Sequence, residues 1–307
     1  MDPVYASAIF LFGLVFGSFL NVCIYRLPLG LSVVTPRSAC PGCKRPIAFY
    51  DNLPVVSWLL LRGQCRNCRS RISPRYLFVE LLTAFLFLGC YAYFGYTLAT
   101  PKYCVFGFLL LGLIFTDAET KLLPDKLTLP GLGLGLVFSL LVPVHDLASQ
   151  FLPGVVNLPF SADLASRLFS LLDSLLGVAL GASFIYGAGA VYLRWRGSEG
   201  MGFGDVKLMA MVGAFLGIKL TIFTIFSASL AGSLFGLATV LVVWIKRTHR
   251  FTRRFANLQA ARQRGWQSAQ MVYRHYQMPF GVFLGSMALL ALFVGNQFLR
   301  WYGRFWW

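Results

Sequence analysis

Acidic side chains are the scarcest chemistry in this 307-residue chain: 11 Asp and Glu stand against 27 Lys and Arg. Histidine is rarer still, at His145, His249 and His275 only, and no H-E-x-x-H pair exists to hold a catalytic zinc. No Walker motif and no G-x-S-x-G elbow is present, which removes P-loop NTPases and α/β-hydrolases from consideration. The alternating glycines of Gly131–Gly135 and Gly200–Gly204 lack the G-x-G-x-x-G spacing of a dinucleotide site. Charged residues of both signs make up 12% of the chain, against about 25% in a soluble domain.

Apolar residues fill the gap. They reach 57%, with a mean hydropathy of +0.68, more than a soluble fold can bury, so lipid must solvate much of the surface. The net charge of +16 sits in loops between apolar runs, a positive-inside pattern and not a nucleic-acid footprint, so no nucleic-acid partner is expected.

Eight apolar stretches approach the ~20 residues a bilayer requires. They lie near Val4–Tyr25, Tyr76–Leu98, Tyr103–Thr116, Leu127–Val144, Leu168–Leu193, Val206–Leu220, Thr221–Ile245 and Pro279–Leu299. Lipid offers the backbone no hydrogen bonds, so each should be helical. The fold class expected is an all-α polytopic membrane protein of about eight transmembrane helices, with an N-terminal cytoplasmic zinc-binding loop domain. With the N-terminus outside, 22 of the 27 Lys and Arg fall on inside loops. The first stretch lacks a basic n-region and a cleavage site and is read as a span, 1–25. The domain boundaries that follow are a cytoplasmic cysteine module at 26–75 and a membrane-embedded region at 76–307. A basic cytoplasmic arm at 246–278, amphipathic or partly disordered, suits anionic head groups or a partner.

Cys40, Cys43, Cys65 and Cys68 form C-x2-C…C-x2-C with a 21-residue spacer. On a reducing side, two such knuckles favour metal over disulfides, and four thiolates make a closed, structural zinc site. Cys23, Cys90 and Cys104 lie within spans and read as small buried hydrophobes.

Eleven carboxylates can be taken one by one. Asp2, Asp146 and Asp163 fall on the outer side, Asp173 inside a span, Asp51 in the cysteine module and Glu80 at the start of the second span. Asp117 closes the apolar run Leu109–Thr116 at the inner interface. Asp205 follows Gly202-Phe203-Gly204 just before another apolar run. Carboxylates at membrane depth are costly and mark function. Two that share a proton supply acid and base together. Interface caps or ion-pair partners remain the alternative for either one.

These residues, taken in order, resemble the type IV prepilin peptidases, also called leader peptidase/N-methyltransferases. The matches are Gly17-Ser18-Phe19-Leu20-Asn21-Val22 with Tyr25-Arg26-Leu27-Pro28, then Tyr50-Asp51-Asn52-Leu53-Pro54 through Trp58, with Arg62-Gly63 before Cys65. Ile72-Ser73-Pro74-Arg75-Tyr76 and Glu80 follow, then Thr116-Asp117 with Leu122-Leu123-Pro124-Asp125. The series closes with Glu199-Gly200-Met201-Gly202-Phe203-Gly204-Asp205-Val206-Lys207 and Pro279-Phe280-Gly281. Gln64 and Val282 depart from the residues expected there.

The resemblance implies a membrane aspartyl endopeptidase with Asp117 and Asp205 as its catalytic pair. Beside them, Glu119, Asp125, Glu199 and Lys207 are close enough in sequence to tune the pair or orient the peptide, with solvated interface charge as the alternative, and Gly202 and Gly204 would let a peptide backbone come close to Asp205. Its substrates would be type IV prepilins or pseudopilins, cut after a glycine at the end of a short basic leader. The new N-terminus would then be methylated with S-adenosylmethionine, for which no binding residues are legible. The implied location is the bacterial inner membrane, multi-pass, with the active site facing the cytoplasm and the bilayer as a partner. A presenilin-like protease of broader specificity and a non-enzymatic zinc-loop scaffold are the rival readings.

Overall fold

The computed structural model describes all residues except 1, 145, 147–149, 151–160, 198–199, 253–257, 276–277 and 304–307. Among the described residues the chain is helical, and only two isolated bridges, Ala39 with Pro46 and Gln64 with Arg71, have strand-like pairing. The helices are α1 (Pro3–Arg26), the short α2 (Val56–Leu60), α3 (Arg75–Phe94), α4 (Ala99–Thr120) and α5 (Asp125–Leu141). They continue with α6 (Ala162–Arg196), α7 (Phe203–Thr252), α8 (Leu258–His275), α9 (Phe280–Leu290) and, after a π turn at Ala291–Gly295, α10 (Asn296–Gly303).

Among the described residues, six helical segments are long and apolar enough to cross a bilayer: α1, α3, α4, α6, α7 and the run Phe280–Tyr302. The expected eight differ from these six at two places. The fourth, α5, forms but has only 17 residues. The sixth and seventh form as two helices that run on as the 50-residue segment α7 and meet at a non-helical Gly217 (φ 75°, ψ −173°), a few residues before the expected boundary. A side chain would be strained at that φ, and an added Cβ would stand 2.7 Å from Asp146 Oδ2. The break is capped from outside the helix. Asp146 Oδ2 accepts the Lys219 N–H at 2.9 Å, doing for the restarted helix what an N-cap side chain does. Asp173, fully buried, accepts the Asp146 N–H at 3.3 Å. Both carboxylates therefore belong to the helix break.

Close helix contacts follow the small residues. Gly17 of α1 lies against the backbone of Glu80 in α3, where a Cβ would come within 2.6 Å of its Cα. Gly177 and Gly181 of α6 meet the carbonyls of Gly213 and Met209 in α7 at comparable distances. The core around them holds Phe106 stacked on Phe215 (4.7 Å), with Leu208, Met209, Leu284 and Ala288 fully buried. Cys23, Cys90 and Cys104 are buried thiols, as expected.

The basic arm takes a definite form over the described residues. Helix α8 folds back along the end of α7: Trp244 Nε1 donates to Arg262 O (3.3 Å), and the Trp244 and Trp266 rings meet edge-on at 5.9 Å.

Candidate active site and metal centre

Asp117 occupies the last turn of α4. Lys121, in the left-handed region (φ 56°), ends that helix, and Leu122-Leu123-Pro124 lead directly into α5. Asp205 sits in the first turn of α7, its N–H bonded to Gly202 O at 3.1 Å. The two helices approach through Leu123, because a Cβ at Gly204 would stand 2.9 Å from Leu123 Cβ. Both carboxylates are nearly inaccessible (5% and 7% exposed), and Asp117 is close enough to act on Asp205 electrostatically. Asp117 Oδ2 accepts the Val282 N–H at 2.9 Å, and a Cβ on Gly281 would lie 2.9 Å from the same oxygen.

Two ion pairs brace the surroundings. Lys207 Nζ bonds both oxygens of Asp125 (2.6 and 2.8 Å), tying the start of α5 to the turn that carries Asp205. Glu119 pairs with Arg75 at the start of α3. An ion pair between Glu80 and Lys207 is not formed. Glu80 instead accepts the N–H of Val55 at 2.7 Å, steadying a β-branched residue at φ 62°, a strained conformation. Gly202 flanks Asp205 with open space around it, whereas Gly204 is close-packed. Glu199 lies outside the described residues. The part of Pro279-Phe280-Gly281 escaped sequence reasoning, because it consists of space beside Asp117 at Gly281 and of the backbone N–H of the next residue, Val282.

The cysteine module is built from two equivalent turns 25 residues apart. Cys40 N–H bonds Arg45 O and Lys44 N–H bonds Cys40 O; Cys65 with Ser70 and Arg69 with Cys65 repeat both bonds. Lys44 and Arg69 both take positive φ (58° and 56°). The four Sγ atoms lie within 4.8 Å of one another, and Cys40 and Cys68 are 3.7 Å apart. Tetrahedral Zn–S bonds of about 2.3 Å require sulfur separations of about 3.8 Å, so the donor set fits that ion. Ser70 Oγ, 3.4 and 3.1 Å from Cys40 and Cys68, holds the Cys40 thiol down to about 6 and lowers that of Cys68.

A cavity of ≈ 240 Å³ separates this module from the end of α1, with Arg26, Val33, Arg37, Phe49 and Asn52 on its wall. Its lining has no carboxylate to meet the ammonium or ribose hydroxyls of S-adenosylmethionine, so no methyl-donor site is assigned to it.

Comparison with known proteins gives two family matches. The bacterial peptidase A24 N-terminal domain matches residues 11–94, and the type IV leader peptidase family matches residues 104–237. Curated relatives include three prepilin leader peptidase/N-methyltransferases. That of Aeromonas hydrophila is 32% identical, covering 97% of this chain and 94% of its own length. That of Neisseria gonorrhoeae is 35% identical (78% and 82%), and that of Pseudomonas aeruginosa 32% (96% and 92%). No solved structure matches.

Proposed function

The chain belongs to the type IV leader peptidase family, and from that premise we propose that its peptidase centre is the pair Asp117 and Asp205. The protein is a prepilin peptidase with N-methyltransferase activity. The observation that carries the proposal is the convergence of two nearly inaccessible aspartates from the end of α4 and the start of α7. Between them the two carboxyls hold one proton. The ionised carboxyl takes a proton from water as the water oxygen attacks the scissile carbonyl carbon. The protonated one donates to the carbonyl oxygen. Collapse of the resulting gem-diol breaks the C–N bond, and a proton passes to the departing amine.

The substrate is a prepilin or pseudopilin whose basic leader stays in the cytoplasm while its apolar helix lies in the bilayer. The inner membrane thereby sets the depth of the cleavage site relative to the aspartates. Glu119, Asp125, Glu199 and Lys207 support the pair, with Gly202 leaving room for an extended peptide and Gly204 letting Leu123 pack beside Asp205. The four cysteines of module 26–75 hold a structural zinc, which contributes folding energy and no catalytic step. S-adenosylmethionine supplies the methyl group to the new amine.

The test is cleavage of a prepilin by purified enzyme in detergent. Asp117→Asn and Asp205→Asn should each abolish the cut while the protein remains folded and zinc-loaded. Normal cleavage by either variant would sink the assignment.

A further inference from the structure

The first amides of α9 need acceptors from outside the helix, as at any helix start. Pro279, extended at φ −72° and ψ 93°, precedes the helix, and no side chain of that segment caps it. The cap comes from another helix. Asp117 Oδ2 takes the Val282 N–H at 2.9 Å. A helix N-terminus favours a carboxylate oxygen there, so this bond fixes where the Asp117 side chain points.

Access to that position depends on one missing atom. A Cβ on Gly281 would lie 2.9 Å from Asp117 Oδ2, 3.1 Å from its Cγ and 3.2 Å from Leu123 Cδ1. Gly281 does not occupy the left-handed region, so the constraint is space and not backbone conformation. The helix carrying it is held by packing independent of Asp117. Phe280 lies 3.6 Å from where a Cβ on Gly232 would be, Phe283 meets the Phe235 ring at 5.4 Å, and Gly285 abuts Ile114. A methyl group at 281 would therefore displace the more mobile partner, the end of the Asp117 side chain.

We infer that Gly281 is a positioning residue for proteolysis: it leaves room for the Asp117 carboxylate to dock on the N-terminus of α9, which sets its aim at the scissile bond. The inference rests on the reading of Asp117 as catalytic. It gives Pro279-Phe280-Gly281 a part in the reaction without contact with substrate.

The experiment compares Gly281→Ala with wild type in prepilin cleavage, with Asp117→Asn and Gly133→Ala as references. Gly133 has open space around its Cβ position, so its alanine variant should cut normally. A misplacement of about 1 Å can cost about 10²-fold in rate. The expected result for Gly281→Ala is a fall in kcat of at least about tenfold with KM unchanged. Its thermal midpoint, and its methylation of a pre-cleaved peptide, should stay at wild-type level. Leu123→Ala, alone and combined with Gly281→Ala, separates the two neighbours of the new methyl. If trimming Leu123 restores the rate, the clash was hydrophobic crowding and the inference fails. It fails equally if Gly281→Ala cuts at the wild-type rate while Asp117→Asn is dead, an outcome that leaves the aspartyl assignment standing. Should Asp117→Asn itself cut normally, that assignment falls and the positioning role with it.

Discussion

The N–H of Val282 donates to the Asp117 carboxylate at 2.9 Å across 165 positions of sequence, so the proposed peptidase centre draws on three separate segments. Two supply carboxylates and the third supplies an amide. Removing either carboxylate should be far more damaging than any change around it. Asp117→Asn and Asp205→Asn keep size and burial but remove acid–base function, and the expected loss in kcat is roughly 10²–10⁴-fold or more. Single-turnover cleavage in detergent reads this directly.

The Lys207–Asp125 bond should act on rate more than on stability. The pair is partly exposed, 24% and 55%, so its stability contribution is about 1 kcal/mol at most. It nevertheless sets the approach of α5 to the turn holding Asp205, two residues before Lys207. Lys207→Ala and Asp125→Ala should each slow cleavage roughly tenfold, and the double variant should lose little more than either single one. Additive losses would show that the two residues act independently.

Metal content offers a separate check. The twofold repeat of the cysteine turns and the 3.7 Å Cys40–Cys68 spacing predict one zinc per chain by elemental analysis. Cys40→Ser or Cys68→Ser should lose that zinc and expose 26–75 to protease, while the helices of 76–307 keep their thermal midpoint. Zinc retained by both variants would overturn the four-thiolate site.

Much of this was legible because carboxylates are rare in so apolar a chain. With 11 to inspect, Asp117 and Asp205 stood out by their places at the ends of apolar runs. The cysteine spacing was equally direct. Backbone contributions were not legible. No residue type announces that the Val282 N–H points at Asp117, or that Val55 takes φ 62° over Glu80. The break in α7 was hidden for a related reason. Residues 206–245 run on almost without a polar break, and the stop is marked only by the φ of Gly217 and by a cap from Asp146, 73 positions before Lys219.

That cap makes a stability prediction. Asp146 is nearly inaccessible, bonds the Lys219 N–H and lies 3.4 Å from Lys219 Nζ. Asp146→Ala removes the cap of the restarted helix, a loss of about 0.5–2 kcal/mol for the cap alone. The thermal midpoint in detergent should fall, while kcat of the folded enzyme at low temperature should hold, because Asp205 lies at the other end of the segment before the break. A loss of kcat without a loss of stability would contradict this placement.

Acid should weaken the cysteine module through Asp51. The Arg66 guanidinium bonds both Asp51 oxygens, from Nε at 3.0 and 2.9 Å and from Nη2 at 2.6 Å, and holds that carboxyl below its usual range. The unfolded segment therefore binds the proton more readily than the folded one. The contribution to stability is full above the unfolded value of about 4 and is lost as pH falls through the lower, folded one. Arg66 is 56% exposed, so solvent screening keeps the gain small. Asp51→Asn should make the module more protease-sensitive than wild type at pH 7, and the gap should narrow in high salt and close in acid. Zinc release from protonated thiols also weakens the module in acid, but it affects both proteins alike and cancels in the difference. A gap that persists below the folded value of Asp51 would mean that the asparagine disturbs the turn at Phe49–Asn52 by shape and not by charge.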